Sequence, residues 1–304
     1  MVRQVLALLK PAPLKTYGDL TVGEGGHAEA ILAASSPDGR LVGFDRDAGV
    51  LEIARARLTA SYAGRFELVH APFSEARRRL ASLGLSGFDG VLADFGLSSW
   101  QLDDAGRGFS FRSEGALDMR MDMSQALTAW EIVNRWTRDR IGDVLRMYGE
   151  ERRADRIARA IRDRPGSRPI ETTGELAEVV RVAAGRARSG RIDAATRAFQ
   201  ALRIAVNDEL EEIRSLMEGA VDMLNPGGVI VCLSYHSLED GLVKRAMAAA
   251  RREGRLSVLT PKPLRPSRDE VTANRRARSA KLRAAQRPAA TEGPEGMEEC
   301  ADGE

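Results

Sequence analysis

Three aspartates stand where a ligand-binding chain would need carboxylates. Asp19 opens "DLTVGEGGHAEAIL", Asp45 ends the apolar run "GRLVGFD", and Asp94 ends "FDGVLAD". In the first stretch Gly23, Gly25, Gly26 and Ala28 form a G-x-G-x-x-A pattern just before an apolar helical run. Such a loop lets backbone approach a ligand closely at the start of a helix. A triphosphate would require Lys and Ser or Thr closing the glycine run, and "GEGGHA" has neither. A "DFG" at 94–96 without an "HRD" segment does not make a kinase. Asp45 lies 22 residues after Gly23, where a carboxylate would accept hydrogen bonds from ribose hydroxyls. A nicotinamide dinucleotide and S-adenosylmethionine both fit that geometry. Asp19 before the loop and Glu24 within it favour the ligand that carries a sulfonium cation over the one that carries a pyrophosphate.

The elements around these residues alternate over the first hundred positions. "VRQVLALL" reads as a short helix and "TYGDLTVG" as a weak strand, with Gly18 where an apolar residue is expected. "HAEAILAAS", "GVLEIARARLTAS" and "SEARRRLASLG" read as helices; "GRLVGFDRD", "RFELVHAPF" and "FDGVLADFG" read as strands. This spacing predicts a parallel sheet covered on both faces. From about 98 to about 197 no buried strand is expected, only helices with breaks, one of them capped by Thr172 or Thr173. The pattern resumes with "TRAFQALRIAVNDELEEIRSLMEGAVDML", read as one long helix, then a turn and strand in "NPGGVIVCLSYHSLED".

Composition narrows the class. The chain has 304 residues, 43% hydrophobic and 30% charged, which is ordinary for a globular protein. Cys232 and Cys300 form no C-x-x-C pair and no ligand cluster with His27, His70 and His236, so neither a disulfide framework nor a metal site is expected. Cys232 reads as a buried small hydrophobe and His70 as structural. No apolar run reaches the ~18 residues of a membrane span, and the N-terminus is a poor secretory signal, so a cytoplasmic protein is expected. The net charge of +2 hides a strong asymmetry. Residues 151–191 carry eleven arginines against six acids, and 262–287 carry nine Lys and Arg against two acids. Two such basic stretches suit phosphate contact, although a charge run by itself is more often a solvated face. Residues 288–304 carry six acids and no base, and are expected to be disordered.

"DFGLSSWQLDDAGRGFSFRSEGALDMRMD" is too polar for a core and too rich in aromatics for a linker. Together with "TVGEGGHAEAIL", "GFDRD", "HAPFSE", "YGEERRADRIARAI", "TRAFQALRIAVNDELEE", "PGGVIVCLSYHSLED" and "NRRARSAKLR", in this order, it resembles the bacterial small-subunit ribosomal RNA cytosine N4-methyltransferases of the methyltransferase H family. The likeness runs from about 4 to 287. It implies an α/β, class I (Rossmann-like) S-adenosylmethionine-dependent methyltransferase fold with an inserted helical substrate-recognition domain. The corresponding divisions are 1–99 and 198–260 for the two parts of the methyltransferase domain, 100–197 for the insert, 261–287 for a basic segment and 288–304 for the tail. The resemblance implies methylation of the exocyclic N4 of a cytidine in the decoding region of small-subunit rRNA, with rRNA or the 30S particle as partner. By motif it assigns cofactor contacts to Gly25, Gly26, His27, Asp45, Phe73, Asp94 and Gln101. Asp45 would take the ribose hydroxyls, Phe73 and Asp94 the region of the adenine and its ribose, and the loop through His27 the methionine end. Departures from the family pattern are a start near the first helix, Gly18, Asp193–Ala194 in place of His-Pro, and "NRRARS" in place of "NPRARS".

Asp94 and His236 are the residues expected beside the target base, with Ser98 and Ser99 as further acceptors for the amine hydrogens. Tyr235, Phe109 and Trp100 are candidates to stack on a flipped base. A dinucleotide oxidoreductase and a non-catalytic RNA-binding protein remain as competing readings. The oligomeric state is open, a homodimer being one option.

Overall fold

The computed structural model describes residues 1–163, 168–185 and 193–290. The expected tail thus lies mostly outside the described residues, as do Arg164, Arg186, Arg188, Arg191 and Cys300. Strands β1 (Thr16–Asp19), β2 (Arg40–Asp45), β3 (Phe66–His70), β4 (Phe88–Asp94), β5 (Leu224–Ser234), β6 (Ser257–Val258) and β7 (Lys281–Gln286) form one sheet in the order β3-β2-β1-β4-β5-β7-β6. β1 to β5 run parallel; β7 is antiparallel to both of its neighbours. This is the class I methyltransferase arrangement. Chain order reverses between β1 and β4, which opens a crevice beyond their C-terminal ends.

Alternation along the strands fills both faces. Val91 of β4 packs with Leu20, Phe44, Phe88, Ile213 and Val243, while Leu92 turns to Tyr17, Leu32, Leu41, Leu58 and Val231. The weak position in β1 has a steric cause. A Cβ on Gly18 would lie 3.1 Å from the fully buried Phe88 ring, so the ring occupies the space that a side chain at 18 would take.

A separate helical lobe follows β4. Helices Ala129–Arg135, Arg138–Met147, Ala154–Arg162, Thr173–Ala184 and Ala194–Asn207 bury Ile132, Ile157, Leu176, Val180, Phe199 and Leu202 against one another. The hydroxyls of Thr128, Thr137 and Thr172 each accept the backbone N–H three residues on, and so cap three of these helices.

Three expectations change. The long helix after the insert is two helices, Ala194–Asn207 and Glu209–Gly219, broken at Asp208 with φ +51°. The first of them packs in the helical lobe and runs unbroken through 197–198. "SEARRRLASLG" is three short pieces, Phe73–Glu75, Ala76–Arg79 and Ala81–Leu83, rather than one helix. The basic segment supplies β7, a full member of the sheet, whose buried Arg283 is neutralised by Asp240 at 2.7 Å.

Candidate active site

The site grows from the strand ends. β1, β2 and β4 end at Asp19, Asp45 and Asp94, so the parallel sheet delivers three carboxylates to one edge. Asp45 organises the glycine loop: Oδ2 accepts the Gly23 N–H at 3.0 Å and Oδ1 that of Asp47 at 3.0 Å. Burial pushes its carboxyl up to about 6, against the lowering effect of those N–H bonds. Asp19 is fully buried, and burial raises it to about 7, opposed mainly by His27. Asp94 accepts a hydrogen bond from the Tyr235 hydroxyl on Oδ1 at 2.9 Å and lies 3.4 Å from His27 Nε2 through Oδ2. Burial disfavours charge on His27, yet Asp94 and Asp19 outweigh it and raise its pKa.

The polar motif after β4 packs inward. Ser98 and Gln101 form a reciprocal cap on the helix Ser99–Asp103. Gln101 Nε2 and Arg107 Nη2 both donate to Asp47 Oδ2 at 2.8 Å, while Asp47 Oδ1 caps the helix Ala48–Tyr62. Arg107 also donates to the carbonyls of Arg120 and Met121 at 2.9 Å. One buried carboxylate, two residues past Asp45, thereby docks the whole loop on the sheet edge.

These residues enclose a cavity of about 680 Å³, within the usual ~300–1,000 Å³ of small-ligand sites. Gly23, Gly26, His27, Asp45, Phe73, Asp94, Ser98, Ser99, Gln101 and Tyr235 line it. Six of the seven expected cofactor residues therefore meet there. Gly25 does not line it; with φ +83° it turns the chain into the helix Gly26–Ala34. The residues suit S-adenosylmethionine. The cavity edge carries carboxylates, its glycine loop lacks a phosphate-binding Lys, and Asp19 Oδ2 and His27 Nδ1 are buried with no hydrogen-bond partner among the described residues.

A family model described as the MraW methylase family matches residues 1–288. The chain belongs to the MraW methylase family. Among curated members, "Ribosomal RNA small subunit methyltransferase H" of Sorangium cellulosum is 50% identical over 285 residues, covering 94% of this chain and 89% of that one. The protein of the same name from Syntrophotalea carbinolica is 46% identical over 303 residues, covering 94% and 96%. A solved rRNA methylase from Streptococcus thermophilus aligns at TM-score 0.43 and 9% identity, covering 94% and 93%.

Within this MraW methylase site, His236 is not where a base-facing residue belongs. It caps the helix Ser237–Arg252: Nδ1 accepts the Glu239 N–H at 3.4 Å, and Nε2 lies 3.0 Å from Glu239 Oε1. It is absent from the cavity lining, whereas its neighbour Tyr235 is present. The hydrogen-bonding needs of a helix start hold the ring away from the crevice. Phe109 is buried in the helical core, and Trp100 packs on Arg107 with its ring 5.4 Å from the guanidinium, so of the three stacking candidates only Tyr235 faces the cavity. His70 bonds the Arg46 carbonyl at 3.0 Å. Cys232 is fully buried.

Sequence reading missed several residues of the site. Arg203 and Glu209 line the cavity and pair through two 2.7 Å bonds. Arg276 and Ser279 close another wall, with Arg276 held by Asp103. Thr21 Oγ1 fixes the Asp94 N–H at 2.7 Å. Ligand atoms of Glu209, His236 and Glu239 lie within 4.8 Å of one another, the geometry of a cation site, but the Arg203 guanidinium already supplies that positive charge. Among the described residues no helix is long and apolar enough to cross a membrane.

Proposed function

We propose that this protein transfers a methyl group from S-adenosylmethionine to the exocyclic N4 of a cytidine in the decoding region of small-subunit rRNA. The observation that carries the reading is that Asp94, Ser98 and Ser99 line the same cavity as Asp45 and the glycine loop. Acceptors for amine hydrogens thus adjoin a donor site, in a family whose curated members carry rRNA methyltransferase names.

The chemistry follows from the nucleophile. The N4 lone pair of cytosine is delocalised into the ring, so the enzyme must align it and favour its pyramidal form. Positioning and electrostatics carry most of such an acceleration. When bound, the donor supplies an electrophilic methyl on a positive sulfur. Transfer moves that positive charge to N4, and the carboxylate of Asp94, which lines the cavity, favours it there. The amine proton becomes acidic only once the N–C bond has formed, so Asp94 takes it late. Asp45 would hold the ribose hydroxyls, Phe73 the adenine side, and Gly26 and His27 the methionine end, with Gly25 supplying the turn that places them and Gln101 fixing the loop between them.

The reading extends to a small-subunit particle as the substrate, to the cytoplasm as the compartment, and to the helical lobe as the RNA-recognition part. That lobe is best divided from the methyltransferase part at Asp208, where one helix ends and the next begins. Labelled methyl transfer to small subunits from cells lacking this modification tests it. The expected product is one N4-methylated cytidine in the decoding region. Label on another atom or nucleotide, or none, would overturn the assignment.

A further inference from the structure

The "SYHSLED" segment is not explained by cofactor contacts, and most of its polar groups point inward. Glu239 is fully buried. Its Oε2 accepts the Tyr235 N–H at 2.7 Å and the His236 N–H at 3.3 Å. Its Oε1 faces His236 Nε2 at 3.0 Å and Arg203 Nη2 at 3.8 Å. Burial opposes the charge on Glu239, but His236 and Arg203 outweigh it and hold its carboxyl below the usual range, so it stays an acceptor. Arg203 belongs to the last helix of the helical lobe and is fixed in turn by Glu209. Both lobes therefore hold the turn that carries Tyr235.

The Tyr235 side chain then reaches Asp94. Its ring lies over Gly96, where a Cβ would come within 3.3 Å of Cδ2. Its hydroxyl donates to Asp94 Oδ1 at 2.9 Å. An aspartate carboxylate turns freely about its last torsion, and its two oxygens offer about four acceptor positions. The Tyr235 donor on Oδ1, together with His27 Nε2 at 3.4 Å from Oδ2, restrains that rotation and leaves further lone pairs of a cavity-lining carboxylate for the amine. A phenylalanine would cover Gly96 equally well, so packing does not account for the hydroxyl.

We infer that Tyr235 is a positioning residue for methyl transfer, its hydroxyl holding the Asp94 carboxylate in the orientation that meets the amine, with Glu239 and Arg203 holding Tyr235 in place. This rests on the reading of Asp94 as the acceptor of the amine hydrogens. Loss of the hydroxyl leaves Asp94 present but misaligned, and misplacement on the order of 1 Å costs about 100-fold in rate.

Tyr235→Phe, Asp94→Asn and the double variant, each assayed on small-subunit particles, test this. Tyr235→Phe should lower kcat about 10- to 100-fold, with donor affinity, KM for the particle and melting temperature unchanged. The double variant should be no slower than Asp94→Asn alone. Wild-type kcat in Tyr235→Phe, a multiplicative loss in the double variant, or a fall in donor affinity equal to the fall in kcat would overturn the inference. If Asp94→Asn keeps its kcat, the reading of Asp94 falls and Tyr235 with it. If only Tyr235→Phe keeps it, Asp94 stands and the positioning role is lost.

Discussion

Asp45 carries two duties whose balance depends on pH. It holds the Gly23 and Asp47 amides and, in the proposed function, the ribose hydroxyls. A ribose hydroxyl donates to the ionised carboxylate. Because burial raises this group to about 6, the carboxyl is protonated below that pH and ionised above it. Donor affinity should therefore rise with pH up to about 6 and then level, with about a tenfold loss at pH 5. Calorimetric titration of the donor between pH 5 and 8 checks this, and Asp45→Asn should weaken binding and flatten the curve. The sign for stability is the opposite. A carboxyl raised in the folded state favours folding at low pH, so its contribution without donor is lost as pH climbs through about 6.

Among the strands, β1 carries a glycine where an apolar residue is expected, and β7 lies in a segment read only as basic. In β1 the missing side chain at Gly18 is compensated by Phe88, which fills the layer from the neighbouring strand. Gly18→Val would force that fully buried ring to move, and overpacking of this kind costs roughly 1–3 kcal/mol. A lower denaturant midpoint at unchanged slope would show it; an unchanged midpoint would mean that the layer has slack. In β7, "KLRAAQ" buries four consecutive residues, Leu282, Arg283, Ala284 and Ala285. Its arginine and alanines mask the strand in the sequence, and only the ion pair with Asp240 makes Arg283 tolerable inside. At Asp208, with φ +51°, the long helix breaks. Asn207 uses its amide to hold the Met119 carbonyl and the Met121 N–H, both at 2.7 Å, and the chain leaves the helix there.

Across the whole molecule, charge and joints divide the work between two lobes. Arg46 donates to the Asn207 carbonyl at 2.7 Å, Glu150 meets Ser237, and Arg203 meets Glu239, so the helical lobe is tied to the sheet beside the cavity. Arg156 and Arg159 of the helix Ala154–Arg162, and Arg152 in the turn before it, are exposed and form no ion pair among the described residues. If they meet rRNA phosphates, Arg156→Ala should lower the slope of log affinity against log salt by about one and leave donor affinity unchanged. Filter binding to small-subunit rRNA at several salt concentrations measures it, and an unchanged slope would remove Arg156 from the interface.

Local pattern carried much of this protein. The alternation of strands and helices, the glycine loop, and the aspartates closing three strands follow from residue type and spacing, because period and punctuation act over a few neighbours. They were enough to place Asp45 and Asp94 on one edge, and the long polar motif named the family. The contacts that finish the site join distant positions. Arg107 meets Asp47 across 60 residues, and Tyr235 meets Asp94 across 141. Such pairs form only after the order of strands in the sheet brings their ends together. The same packing turned His236 into a helix cap and left its neighbour Tyr235 facing the cavity. Both residues lie in the bend between β5 and the helix Ser237–Arg252, and the cap that claims His236 leaves Tyr235 to face the cavity, a choice that only the packed fold makes.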